Sequence, residues 1–313
     1  MARIIGPMRG HAAAALPAVL LATGVPLHAQ TSEVPRSSWG TPDLSGYWEY
    51  RTTTPLQRPT EFGDRAVLTP EEVAAYLPRR LADIGHERDL QLNADWWQPG
   101  DLTDGRTSLI VDPPDGRLPE RSEAALERAR TLGLASRLRP ADGPEDRERY
   151  ERCIMGRTVP LLAVPPPRLV QFFQNEDHLI ILHEQKSDIR IIPIDGPTAI
   201  ADAIRLWSGR SRGHWEGDTL VVETTHLNGA WTVNGTSADM HVEERFTRTA
   251  KGIDFGFTIT DPTSFAAQWS VEFPITPGNG PLFENACHEG NYSMPLILSG
   301  ARAEERRAAA GSR

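Results

Sequence analysis

The chain has 313 residues, with 33 Lys and Arg against 42 Asp and Glu, for a net charge of −9 at neutral pH. An acidic chain without clustered Lys and Arg repels phosphates, so nucleic acid and anionic membrane surfaces are excluded as partners. No stretch beyond the first thirty residues approaches the ~20 consecutive apolar residues of a membrane-spanning helix, so no membrane insertion is expected.

Residues 1–29 read as a signal peptide. Arg3 and Arg9 give a basic start, Ala12 to Leu27 form an apolar run interrupted by Pro17 and Gly24, and Leu27-His28-Ala29 offers a cleavage site. Export to the periplasm or the medium follows, and loss of the two arginines takes the net charge from −9 to −11.

Residues 30–167 are expected to form a strand and helices packed on the main domain. Gly46-Tyr47-Trp48 opens a strand. Thr69-Pro70-Glu71-Glu72 places a cap residue, a proline and two acids at a helix start. Pro119 to Glu123 opens a second helix that runs from Ala124 to Leu132 and stops at Gly133, and a charged third helix covers Pro144 to Cys153. Asp112 to Arg117 is a turn. In an oxidising compartment the economical reading of Cys153 and Cys287 is one disulfide; the alternative is a reactive thiol pair or a nucleophilic cysteine.

From Arg168 the pattern changes to short β-rich runs divided by turns. These are Leu169 to Gln174, His178 to His183, Ile189 to Ile194, Leu220 to His226, His241 to Thr247, Ile253 to Thr260 and Trp269 to Phe273. Seven successive strands with short connections predict an antiparallel meander closing into a β-barrel over residues 168–300. The stretch between, Ser208 to Gly213, reads as a glycine-bearing basic loop, and 301–313 as a flexible tail. The fold class is therefore mainly β, with helices in the N-terminal third.

Gly46-Tyr47-Trp48 is similar to the G-x-W feature of lipocalin and calycin barrels. Gly213-His214-Trp215-Glu216-Gly217-Asp218-Thr219-Leu220-Val221-Val222, with Glu244-Arg245-Phe246-Thr247-Arg248 and Ala286-Cys287-His288-Glu289-Gly290-Asn291-Tyr292, resembles a broad group of exported bacterial proteins. The first resemblance implies a lipocalin-like barrel. The second implies export and a bacterial source, and attaches no reaction.

Strand parity sorts the polar residues. Glu244 shares a face with Val242 and Phe246, so it is either paired with a buried cation, Arg190 being the candidate, or is a carboxyl of raised pKa suited to acid–base work. Glu223 shares a face with Val221 and Thr225, and either face of that strand can be the interior. If the Glu223 face lines the interior, Glu223 is a second candidate base and Thr225 a ligand-binding hydroxyl. His178, beside a turn with Ile180 and Leu182, stands as a candidate acid at a barrel rim. His288 and Glu289, in a loop that a disulfide would hold, are further acid–base candidates, and Tyr292 a ligand contact. Trp231, like Trp96-Trp97, offers a stacking surface for a ligand.

His178 and His183 point to opposite faces and no zinc spacing is present, so no metal is expected. The glycine signatures of nucleotide and flavin sites are missing, so no cofactor is expected either. These residues predict a cofactor-free enzyme, a lyase, isomerase or hydrolase, acting on a small, partly apolar molecule. The alternative is a lipocalin-like protein that binds such a molecule without transforming it.

Overall fold

The computed structural model describes residues 33–87, 100, 102–138, 141–147, 151–154, 159–163, 169–184, 188–196, 200–229, 233–284 and 286–311. The expected signal peptide lies outside them. Ten strands form one antiparallel sheet: β1 (Gly46–Glu49), β2 (Ile110–Asp112), β3 (Leu169–Gln174), β4 (His178–His183), β5 (Ile189–Pro193), β6 (Arg210–Glu216), β7 (Thr219–Thr225), β8 (His241–Arg248), β9 (Ile253–Thr260) and β10 (Trp269–Pro277). Nine of them follow the order β5-β4-β3-β1-β10-β9-β8-β7-β6, with β2 attached to β10. The two end strands meet at one parallel bridge, Ile194 to Gly213, where the Asp195 amide donates to the Gly213 carbonyl at 2.9 Å. The sheet is thus a nearly closed β-barrel.

The seven expected strands are all present, and two more come from segments read otherwise. Arg210 to Gly213, the larger part of the stretch Ser208 to Gly213 expected as loop, belongs to β6. That segment has no β-branched residue to announce a strand, and it forms one because β7 pairs with its whole length. Gly213 lies close-packed at the seam, where a Cβ would stand 3.2 Å from Leu220 Cδ1 and 3.4 Å from Ile192 Cγ2. β2 precedes the turn at Asp112 and pairs with Ser270 and Val271 alone.

Alternate residues of each strand fill the interior with aromatic rings. Phe246 lies 4.8 Å from Phe255 and 5.9 Å from Phe172, centroid to centroid, Phe255 lies 5.1 Å from Phe273, and Phe257 meets Trp269 at 5.8 Å. The barrel has a turn end, with tight connections at 175–177, 217–218 and 249–252, and a loop end with the longer connections. At the turn end the Trp48 indole donates to the Leu44 carbonyl at 2.8 Å, and the Arg248 guanidinium covers its ring at 5.1 Å.

Three α-helices flank the barrel, α1 (Pro70–Glu87), α2 (Glu123–Leu138) and α3 (Ser293–Gly311). Thr69 caps α1 in a reciprocal box: the Glu72 amide donates to Thr69 Oγ1 at 3.3 Å and the Thr69 amide to Glu72 Oε2 at 3.0 Å. α2 starts on a Ser122 cap and runs past Gly133, since one helical glycine costs only ~1 kcal/mol and good helix formers follow it. The third expected helix is a single 3-10 turn, Pro144–Asp146, among the described residues. Residues 301–311, expected as tail, continue α3, a helix with no buried residue.

α2 docks on the loop end at a corner that one carboxylate organises. Asp261, buried at the β9–β10 corner, accepts hydrogen bonds from the Ser237 amide at 2.6 Å, the Ser237 hydroxyl at 3.0 Å and the Thr263 hydroxyl at 2.8 Å. Burial opposes its ionisation, and these bonds with that of Ser264 outweigh burial, so its pKa falls below the ordinary value. The Ser122 amide and hydroxyl of α2 donate to the Ser264 and Thr263 carbonyls at 2.9 and 2.7 Å, and Arg128 donates to the Ser264 hydroxyl.

Candidate functional site

Four polar side chains form one cluster in the interior of the loop-end half of a largely apolar barrel. Each comes from a different strand, with the alternation of the strands turning all four inward: Arg190 from β5, Ser211 from β6, Thr224 from β7 and Glu244 from β8. Glu244 is 0% exposed and Arg190 4%. Arg190 Nη2 donates to Glu244 Oε2 at 2.5 Å and to Thr224 Oγ1 at 2.8 Å, and its Nε donates to Ser211 Oγ at 3.0 Å. Ser211 and Thr224 share a hydrogen bond of 2.8 Å. The second oxygen of Glu244, Oε1, accepts the Leu161 amide at 3.3 Å.

This arrangement binds the seam where the ladder does not. Beyond the single bridge at Ile194, β5 is held to β6, β7 and β8 by the reach of Arg190. One atom is left over. Arg190 Nη1 is buried and has no hydrogen-bond partner among the described residues, although a guanidinium presents five donors in a fixed fork. His183 is buried on the inner face of β4 at the same end, and Leu161, whose amide reaches Glu244, is buried as well.

The expected site residues fall in three places. Glu244 stands inside, paired with Arg190. Glu223 and Thr225 lie on the outer face of β7, because Leu220, Val222 and Thr224 take the inner one. The Glu223 carboxylate lies 3.9 Å from the His241 ring, and Thr225 Oγ1 shares a hydrogen bond of 2.7 Å with His226 Nδ1. His178 is half-buried at the turn-end rim on the outer face of β4.

His288, Glu289 and Tyr292 are exposed, Tyr292 to 74%. Their loop is braced: the Cys153 and Cys287 sulfurs stand at disulfide distance, 2.07 Å, and Asn291 Nδ2 donates to the Glu151 carbonyl at 3.1 Å. Trp96, Trp97 and Trp231 lie outside the described residues. The structure therefore brings Glu244 together with Arg190, and places the other described candidates elsewhere.

Sequence reasoning named Arg190 as a partner but missed Ser211 and Thr224. For Thr224 the missing signal was which face of β7 looks inward; for Ser211 it was the strand itself. A separate groove of about 530 Å³ lies on the outer face over Gly256, between Asp104, Arg106, Arg245, Asp254 and Glu272, and contains none of the expected residues. No group of three or more metal-ligating side chains is found among the described residues. Comparison with protein-family models, with curated proteins and with solved structures returns no match for the chain.

Proposed function

We propose that this protein is exported and binds a small, partly apolar molecule inside its barrel, at the Arg190–Glu244 cluster. The observation that carries this reading is the Nη1 of a buried arginine, which has no partner among the described residues. A buried ion pair is poor value for stability alone, since apolar side chains of similar volume are often neutral or better. Leaving one N–H unmet costs a further ~1–3 kcal/mol. An oxygen of a bound molecule at Nη1 recovers that cost, and the surrounding rings supply the apolar contact. The signal-like first 29 residues and the Cys153–Cys287 pair support export.

The ion pair favours binding over proton transfer, because the carboxylate that would act as base already serves as the counter-ion of Arg190. Acid–base turnover by Glu244 is the second reading, favoured by its complete burial in an apolar row and by the long 3.3 Å bond at Oε1.

The test is calorimetric titration of the purified protein with a panel of small oxygen-bearing apolar compounds, followed by Arg190→Lys. Lysine keeps a cation beside Glu244 and withdraws the planar fork, so a ligand held by Nη1 loses roughly tenfold or more in affinity, about 1.4 kcal/mol. Equal affinity in the two proteins contradicts the reading. Glu244→Gln that keeps binding and abolishes conversion of a bound compound establishes the second reading instead.

A further inference from the structure

The polar cluster in the barrel balances its own charge. Arg190 brings one positive charge and Glu244 one negative, and Ser211 and Thr224 are uncharged. Their cross-strand neighbours add none: Arg190 stands opposite Ile181, Thr224 opposite Val242, and Glu244 between Val222 and Phe257, all four buried. The other buried arginines among the described residues are engaged elsewhere. Arg147 pairs with Glu151 at 2.7 Å, and Arg58 donates to the Thr107 hydroxyl and the Pro114 carbonyl, each at 3.1 Å. Of the five N–H groups of the Arg190 guanidinium, the one on Nε goes to Ser211 and the two on Nη2 go to Thr224 and Glu244. Both N–H groups left over among the described residues are therefore on Nη1.

We infer that the molecule held at Arg190 is a neutral carbonyl compound, a ketone, aldehyde, ester or lactone; this rests on the reading of the cluster as a ligand site. The other chemistries fail on charge or on hydrogen bonding. A carboxylate or phosphate at Nη1 leaves an apolar interior with a negative charge in excess, because Glu244 already neutralises the guanidinium, and an uncompensated buried charge is strongly unfavourable. An ammonium group brings a second cation, and donors to a nitrogen that needs an acceptor. A hydroxyl can accept from Nη1, but its own O–H then needs an acceptor, and Ser211, Thr224 and both oxygens of Glu244 already accept. A carbonyl oxygen has two lone pairs and no hydrogen, so it meets Nη1 without stranding a new donor, and the carbon skeleton lies among apolar side chains.

Calorimetric titration with compounds that share a skeleton and differ in the polar group is the test. Benzylacetone, methyl hydrocinnamate, hydrocinnamate and phenylpropylamine serve as one series, and the same four groups on a hexyl chain as a second. At pH ~8 the carboxylate is ionised, and a histidine at its ordinary value near 6.5, such as His183 at the same end, adds no charge. The expected result is that the ketone and the ester bind the wild type roughly a hundredfold more tightly than the carboxylate and the amine. Glu244→Gln removes the counter-charge and reverses the order, carboxylate over ketone, because Arg190 then carries the only charge of the cluster.

A wild type that takes the carboxylate as tightly as the ketone, with both weakened by Arg190→Lys, overturns the inference and leaves the ligand site standing. So does a folded Glu244→Gln in which the order is unchanged. Absence of binding by every member of both series, or binding that Arg190→Lys leaves intact, removes the ligand site and the inference with it. If Glu244→Gln fails to fold, the order in the wild type still decides.

Discussion

Among the described residues two carboxylates are buried, and they answer differently to substitution and to acid. Removing Glu244 strands the Arg190 guanidinium in the barrel, so Glu244→Ala is expected to cost about 3–5 kcal/mol in urea unfolding. Combining it with Arg190→Met removes both charges and recovers much of the loss. If the double variant is as unstable as the sum of the two single ones, the pair is not a unit.

Asp261 is governed by pH. Its folded pKa is depressed, so its contribution is fully present above the unfolded value near 3.9 and is lost as pH falls through the folded one. Asp261→Asn should lower the melting temperature at neutral pH, and the gap to the wild type should close in acid. A gap of constant size across that range would show that hydrogen bonding to the ionised form is not what Asp261 supplies.

At the scale of elements, the strands of residues 169–277 were largely readable because each carries an alternating apolar row and is bounded by turn residues. β6 was not, because its sequence has the composition of a loop and its strand is imposed by β7 from outside. The start of α2 was legible and its end was not, since Gly133 signals a stop that the following helix formers override. Glu244 was legible as a buried charge. Which of its possible partners it takes depends on how a barrel closes, and no local pattern encodes that. α3 shows the limit from the other side: its composition favours a helix, yet none of its residues is buried. Deleting residues 303–313 should leave the melting temperature within about a degree of the full chain, as expected for exposed sites worth under ~0.5 kcal/mol. A fall of many degrees would show that this end of α3 docks.

At the scale of the molecule, a barrel whose seam has one backbone bridge is closed by a side chain that retains a donor for something else. Closing and binding are therefore coupled in this account: Arg190 ties four strands together with three of its hydrogen bonds and keeps one buried nitrogen without a partner among the described residues. The most direct measurement is nitrogen-15 resonance of the arginine guanidinium groups, assigned with Arg190→Lys, before and after addition of a compound shown by calorimetry to bind. The account predicts that the Arg190 Nη signals, sheltered from exchange by burial, shift on binding while those of surface residues such as Arg245 stay in place. A compound that binds the protein and leaves the Arg190 signals unmoved would contradict it.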